Sequence, residues 1–330
     1  MSDGSSPDLY ELDLERAIGV IRRSGASRVG LQAPEGLKRA CRSIASEIAR
    51  QTGAEVMISG DPCFGACDID LELCSEVELM IHIGHAEMLE TDKVIYLEAR
   101  IRADPSEVVR RAASELRERR VGVATTIQHL HRIGQVLQAL REEGIEGVLG
   151  PAGGRVRHPG QVLGCCYTSV RGLDVREHLF IGTGQFHPLG IALSTGKRVV
   201  AADPLTGKVF EIDTYPMLRQ RYGSISRASD AARFAVLISK KPGQRRLELA
   251  RRIREIGERS GREMLLVYLD NVEPDRLLNL GVDAAVCTAC PRIALDDSAK
   301  FRIPVLTPQE FEILVGVRRW EEYELDEFEV

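Results

Sequence analysis

No run of about 18 consecutive apolar residues occurs in the 330-residue chain, so no segment reads as a membrane-spanning helix. The opening, MSDGSSPDLYELD, lacks the basic stretch and apolar run of a secretory leader, and the expected location is the cytoplasm. An excess of one charge is also missing. Forty-four Lys and Arg stand against 49 Asp and Glu, a net charge of -5 that argues against broad attraction to nucleic acid or to an anionic membrane. Neither a membrane nor a directly bound nucleic acid is expected as a partner. Eight cysteines are too few for a disulfide scaffold, and in a reducing compartment they are free thiols, catalytic groups or metal ligands. GxSxG, P-loop and HExxH strings are absent, which leaves hydrolase and NTPase readings without an anchor.

With 44% hydrophobic and 28% charged residues the chain has the means to fold, and its length suggests two or three domains. Short Val- and Ile-rich runs alternate with amphipathic stretches, the pattern of an α/β protein with mostly parallel sheets. RVGLQAP, AEVMISGD, ELMIHIGH and KVIYLEA are strands of the first third. RVGVATT, GVLGP, GQVLGCC, LFIGTG and RVVAAD follow in the second, and FAVLISK, EMLLVYLD, DAAVCTAC and IPVLTP in the last. Helices are expected over 37–51, 133–143 and 247–260, the first two closed by Gly53 and Gly144. Pro, Gly, Ser and polar residues cluster near 100–105 and 207–229, giving expected domains of 1–102, 103–207 and 208–330. In the basic stretch 240–262, Glu248/Arg252, Glu255/Arg259 and Glu258/Arg262 are spaced i,i+4, as on a solvated helix face. The acidic end EEYELDEFEV reads as a frayed, solubilising terminus.

Each third carries cysteine in a turn after an apolar strand, where open parallel sheets gather their ligands. The turns are GDPCFGACDID with Cys63 and Cys67, GQVLGCCYTS with Cys165 and Cys166, and VCTACPRIALDD with Cys287 and Cys290. Cys74 follows in LELC, and Cys41 lies alone in a helix as apolar filler. A local CxxxCxxC cluster motif fails, because Asp70 stands where its third cysteine belongs. A tetrahedral zinc on Cys63, Cys67, Cys287 and Cys290 has enough thiolates but leaves Cys165 and Cys166 unexplained. One cysteine from each third, at 67, 165 and 290, suits a 4Fe-4S cluster with one iron open to substrate. Asp296 and Asp297 are adjacent and do not converge as an acid-base pair, so a helix-end or loop-fixing role is expected.

Seven strings occur in order along nearly the whole chain: LQAPEGL (31–37), GDPCFGACD (60–68), IHIGHAEM (81–88), GQVLGC (160–165), GTGQFHPLG (182–190), DPLTGKVF (203–210) and TACPRIALDD (288–297). Together they closely resemble the 2-(3-amino-3-carboxypropyl)histidine synthase family, which starts diphthamide biosynthesis. The resemblance implies three similar α/β domains around a central 4Fe-4S cluster held by Cys67, Cys165 and Cys290, and a homodimer. It implies S-adenosylmethionine as cosubstrate, cleaved to methylthioadenosine, and radical transfer of a 3-amino-3-carboxypropyl group to C2 of a histidine imidazole. Translation elongation factor 2 would be the protein substrate and a separate electron donor would be required. No catalytic residue beyond the cluster ligands is expected.

Beside that resemblance, Gly84, Gly182 and Gly184 are turn glycines that let backbone approach a ligand closely. Gln32, Glu35, His82, His85 and His187 are hydrogen-bonding groups at strand ends, candidates to hold the amino-carboxypropyl portion or the ribose hydroxyls. Two competing functions share the cysteine pattern: a quinolinate synthase-like enzyme using the open iron as a Lewis acid, and a non-catalytic iron-sulfur redox subunit.

Overall fold

The structure, a computed structural model, describes residues 9–89 and 91–328. Most of the segment read for a leader, and the last two residues of the acidic end, lie outside them. Contacts divide the chain into two compact units. The first comprises Met1–Val162, Thr168–Gly184 and Val200–Phe210, and the second Leu163–Tyr167, Gln185–Val199 and Glu211–Val330.

The α/β expectation holds. In the first unit, Glu55–Ile58, Arg28–Gln32, Leu79–Ile83 and Val94–Leu97 form a four-stranded parallel sheet in that spatial order. A five-stranded sheet follows in the order Val209–Glu211, Arg198–Ala202, Glu177–Ile181, Arg120–Thr125, Glu146–Val148. The second unit has a four-stranded parallel sheet ordered Glu263–Leu269, Arg233–Ser239, Ala284–Cys287, Val305–Leu306. The central strands are buried along nearly their whole length, as apolar runs covered on both faces must be.

All three sheets share one order. The first strand along the chain is internal, the second lies on one side of it, and the third on the other. Each therefore has a switch point between its first and third strands, where the following loops diverge and leave a crevice at the carboxyl ends. The facing end residues are Gln32 and His82 in the first sheet, Thr125 and Ile181 in the second, and Leu237 and Cys287 in the third.

The helices follow their local signals. Lys38–Thr52 ends at Gly53 in the left-handed conformation, Ile133–Glu142 stops just before Gly144, and Leu247–Arg259 buries Ala250, Ile253 and Gly257. On that last helix the charge pairing differs from the sequence spacing. Glu255–Arg259 forms at 3.7 Å, but Glu248 takes Arg251, Glu258 takes Arg254, and Arg252 reaches Glu312. Arg262 lies beyond the helix and donates to the Ala231 and Ser229 carbonyls.

Three expectations are corrected. GQVLGCC is no strand: Thr125 bridges Gln161, and Leu163 and Cys166 close on each other through reciprocal backbone hydrogen bonds of 3.0 and 3.2 Å. Its two glycines and this tight reversal prevent an extended run. The polar stretch near 207–229 is largely the helix Tyr215–Arg227, anchored by Arg221, which is fully buried and bonded to Glu310 at 2.7 and 2.5 Å. The described part of the acidic end is not frayed. Leu325, Asp326 and Phe328 are 6%, 1% and 4% exposed, and Asp326 is paired with Arg246 inside the second unit.

Candidate metal centre

In the first unit the switch point is built by Gln32 and His82, register partners on adjacent strands and both buried. Gln32 Nε2 donates to the Asp68 carbonyl at 2.8 Å, so Oε1 faces the other way and accepts from the Asp70 N–H at 3.3 Å. The contact of 3.0 Å between Oε1 and His82 Nδ1 then requires the proton on Nδ1. His82 Nε2 is left with its lone pair and accepts from His85 Nδ1 at 2.9 Å. His85 thereby presents the lone pair of its own Nε2. Burial pushes both imidazoles down, His85 to about 4, so this chain of neutral rings persists at neutral pH.

The same amide fixes the cysteine turn, since Asp68 and Asp70 lie just past Cys67. Asp68 accepts from the Phe64 N–H, while Asp70 accepts from Ser59 and caps the helix Leu71–Glu76. Cys63 is buried here, and ligand atoms of Cys63, His82 and His85 lie within 4.8 Å of one another. No motif or spacing joins Cys63 to the histidines. Only strand register brings the 60–68 loop over the end of Leu79–Ile83.

Gly84 follows at φ 100°, its N–H bonded to the Leu97 carbonyl and its carbonyl accepting from Gln128. A β-carbon there would press on Pro34 at 3.2 Å. Gly182 is buried and Gly184 exposed, both past the strand Glu177–Ile181. Glu35 is not drawn into this group: its side chain is 65% exposed and paired with Lys38 at 2.7 Å.

In the second unit the Cys165 and Cys290 turns pack together. A β-carbon on Gly164 would meet Phe186 at 2.5 Å and the Arg292 side chain at 3.4 Å, and the Arg292 guanidinium lies 4.3 Å over the Phe186 ring. His187, half-buried on the helix Phe186–Thr195, sits edge-on to Phe186, and burial holds it down to about 4. Cys287 ends its strand fully buried and donates to the Cys290 carbonyl at 3.4 Å; burial pushes its thiol up to about 12. Asp296 pairs with Arg292 at 2.8 Å and Asp297 with Lys300 at 2.6 Å, so both carboxylates fix the loop.

One regularity runs through the three turns. Cys67, Cys165 and Cys290 are partly accessible, whereas their companions Cys63, Cys166 and Cys287 are buried. The residues fit an iron-sulfur cluster in donor type and in access. Gly65 adds to the fit, because a β-carbon there would stand 3.3 Å from Cys67 Sγ and cover one flank of the sulfur.

The family described as "Putative diphthamide synthesis protein" matches residues 33–324. The chain belongs to that family. The Pyrococcus horikoshii protein named 2-(3-amino-3-carboxypropyl)histidine synthase is 39% identical over 97% of this chain and 94% of its own. Its namesake from Methanocaldococcus jannaschii is 30% identical over 93% and 90%. A crystal structure of Dph2 from P. horikoshii with a 4Fe-4S cluster superposes with a TM-score of 0.91, at 38% identity over 97% of this chain and 94% of that one. Membership in the diphthamide synthesis family thus bears out the resemblance of the seven strings and favours it over the quinolinate synthase-like alternative. Among the described residues no helix is long and apolar enough to cross a membrane.

Proposed function

We propose that this chain transfers the 3-amino-3-carboxypropyl group of S-adenosylmethionine to C2 of a histidine imidazole on translation elongation factor 2, by a radical route that begins diphthamide synthesis. The observation that carries the reading is the accessible member in each cysteine pair, within a chain 39% identical to a named synthase. Cys67, Cys165 and Cys290 hold a 4Fe-4S cluster, and three thiolates leave one iron free for the cosubstrate. When bound, the cluster supplies the electron that cleaves the sulfonium, which requires an external electron donor.

The chain's own residues bind, orient and exclude water. His85 Nε2, held as an acceptor through His82 and Gln32, takes a hydrogen bond from the cosubstrate's ammonium or a ribose hydroxyl. Gly84, Gly182 and Gly184 give backbone walls without side chains, and His187 supplies a further polar contact from its own element. A division into three domains, 1–102, 103–207 and 208–330, is supported by the three sheets of common strand order, although the edge strand Val209–Glu211 of the second sheet falls just past the second boundary. The enzyme works as a cytoplasmic homodimer.

The test is anaerobic incubation of cluster-reconstituted protein with dithionite and S-adenosylmethionine, followed by chromatography. Methylthioadenosine is the expected nucleoside product. Release of 5′-deoxyadenosine alone overturns the cleavage mode, and no turnover by the purified chain favours the non-catalytic redox subunit.

A further inference from the structure

The last described residues of the acidic end are tied to both cysteine turns of the second unit. The Phe328 N–H donates to the Cys165 carbonyl at 2.9 Å. Glu327 accepts from the Tyr167 N–H through Oε2 at 2.9 Å and from the Ser194 hydroxyl through Oε1 at 2.5 Å. These bonds grip the 165–167 backbone from one side.

The other turn is reached through Arg246. Its guanidinium forks onto Asp326 at 2.8 and 2.5 Å, and the remaining N–H groups donate to the Thr288 carbonyl at 2.8 Å and the Ala289 carbonyl at 3.0 Å. Those carbonyls immediately precede Cys290. The same guanidinium stands 4.2 Å over the Phe328 ring. Asp326 is 1% exposed and the Arg246 side chain 14%, so water competes little for these bonds.

We propose that Asp326, Glu327 and Phe328, together with Arg246, form a clamp that sets how Cys165 and Cys290 are presented to the iron-sulfur cluster. The inference rests on the assignment of those two cysteines as ligands. Turns held only by their own backbone bonds can open locally, and a thiolate on an open turn releases its iron. The clamp joins the two turns through a third segment, so neither moves without breaking charge-assisted hydrogen bonds. Asp326 also balances the Arg246 cation that would otherwise lie unpaired beside the thiolates. These are positioning residues, since none of them supplies a ligand.

Three full-length variants and one truncation test it. Glu327→Gln removes one of the two acceptors, and a stop after Leu325 removes every member of the clamp but Arg246. In metal-free protein, amide exchange at Tyr167 should quicken about tenfold in Glu327→Gln, the scale of one charge-assisted hydrogen bond. After anaerobic reconstitution, iron loss to EDTA should quicken similarly in Glu327→Gln and further in the truncation. Asp326→Asn should move the cluster's reduction potential to less negative values, because the unbalanced guanidinium favours the reduced cluster, and Asp326→Glu should restore it. Wild-type rates of Tyr167 exchange and of iron loss in Glu327→Gln, or an unmoved potential in Asp326→Asn, overturn the clamp. Full iron retention in both Cys165→Ala and Cys290→Ala overturns the ligand assignment instead, and Tyr167 exchange still reads the clamp in that case.

Discussion

Among the cysteines, sequence separated neighbours by motif and the structure separates them by access. Cys166 and Cys287 are 0% exposed, Cys63 3%, while Cys67, Cys165 and Cys290 retain accessible surface. Cys67→Ala, Cys165→Ala and Cys290→Ala should therefore each lower bound iron and the brown absorbance of reconstituted protein. Cys63→Ala, Cys74→Ala, Cys166→Ala and Cys287→Ala should keep about four irons per chain. Removing a buried thiol from a close-packed site costs on the order of 1 kcal/mol of stability and no iron. If Cys166→Ala loses iron while Cys165→Ala keeps it, the register of the middle turn is wrong. Histidine protonation gives a second expectation at this scale. Burial holds His129 down to about 4 against 6.5 when unfolded. The unfolded chain therefore takes up this proton first, and stability is lost as pH falls from about 6.5 towards 4, with a slope of at most about 1.4 kcal/mol per pH unit. Urea midpoints at pH 7, 5.5 and 4.5 should fall more steeply for the wild type than for His129→Gln. The order of protons along Gln32, His82 and His85 could not be read from sequence, because the Asp68 carbonyl decides which way the Gln32 amide faces.

At the scale of elements, strands and helices with strong periodicity were legible, since runs such as FAVLISK carry their burial in composition. Segments whose partners lie far along the chain were not. The helix Tyr215–Arg227 sits in a stretch rich in Arg, Ser and Gly, and its anchor is Arg221, whose guanidinium bonds to Glu310 and to the Ala294 and Val305 carbonyls. Glu310 serves three elements at once: it pairs with Arg221, closes the capping box with Thr307 at the start of Pro308–Leu314, and accepts from the Tyr323 hydroxyl. Glu310→Ala leaves a buried cation without its partner and should cost roughly 3–5 kcal/mol in chemical denaturation. A loss below about 1 kcal/mol would show that the helix is held by its apolar contacts alone. The acidic end misled for the same reason. EEYELDEFEV has the charge density of a solvated tail, yet Asp326 and Glu327 answer donors on Arg246 and Tyr167, 80 and 160 positions away.

The whole chain carries a small net charge of -5, so the protein partner proposed for it is met through shape and local contacts and not through a broad electrostatic field. The proposed transfer places a demand on the order of events. A carbon radical made before its target is in place reacts with whatever is near, including the turns that carry the cysteines. Productive cleavage therefore needs the imidazole positioned first, and one histidine side chain offers too little surface to be held against its lost freedom. A folded partner presenting that histidine provides the binding energy. Elongation factor 2 should accordingly gain one 3-amino-3-carboxypropyl group, on a single histidine, when incubated anaerobically with reconstituted protein, reductant and S-adenosylmethionine. Free histidine at millimolar concentration should gain none, and the factor should raise the rate of methylthioadenosine release. Intact-mass and peptide mass spectrometry read both outcomes. Efficient modification of free histidine would mean that docking does not position the imidazole, and an unmodified factor beside continued methylthioadenosine release would mean that the group goes to a different acceptor.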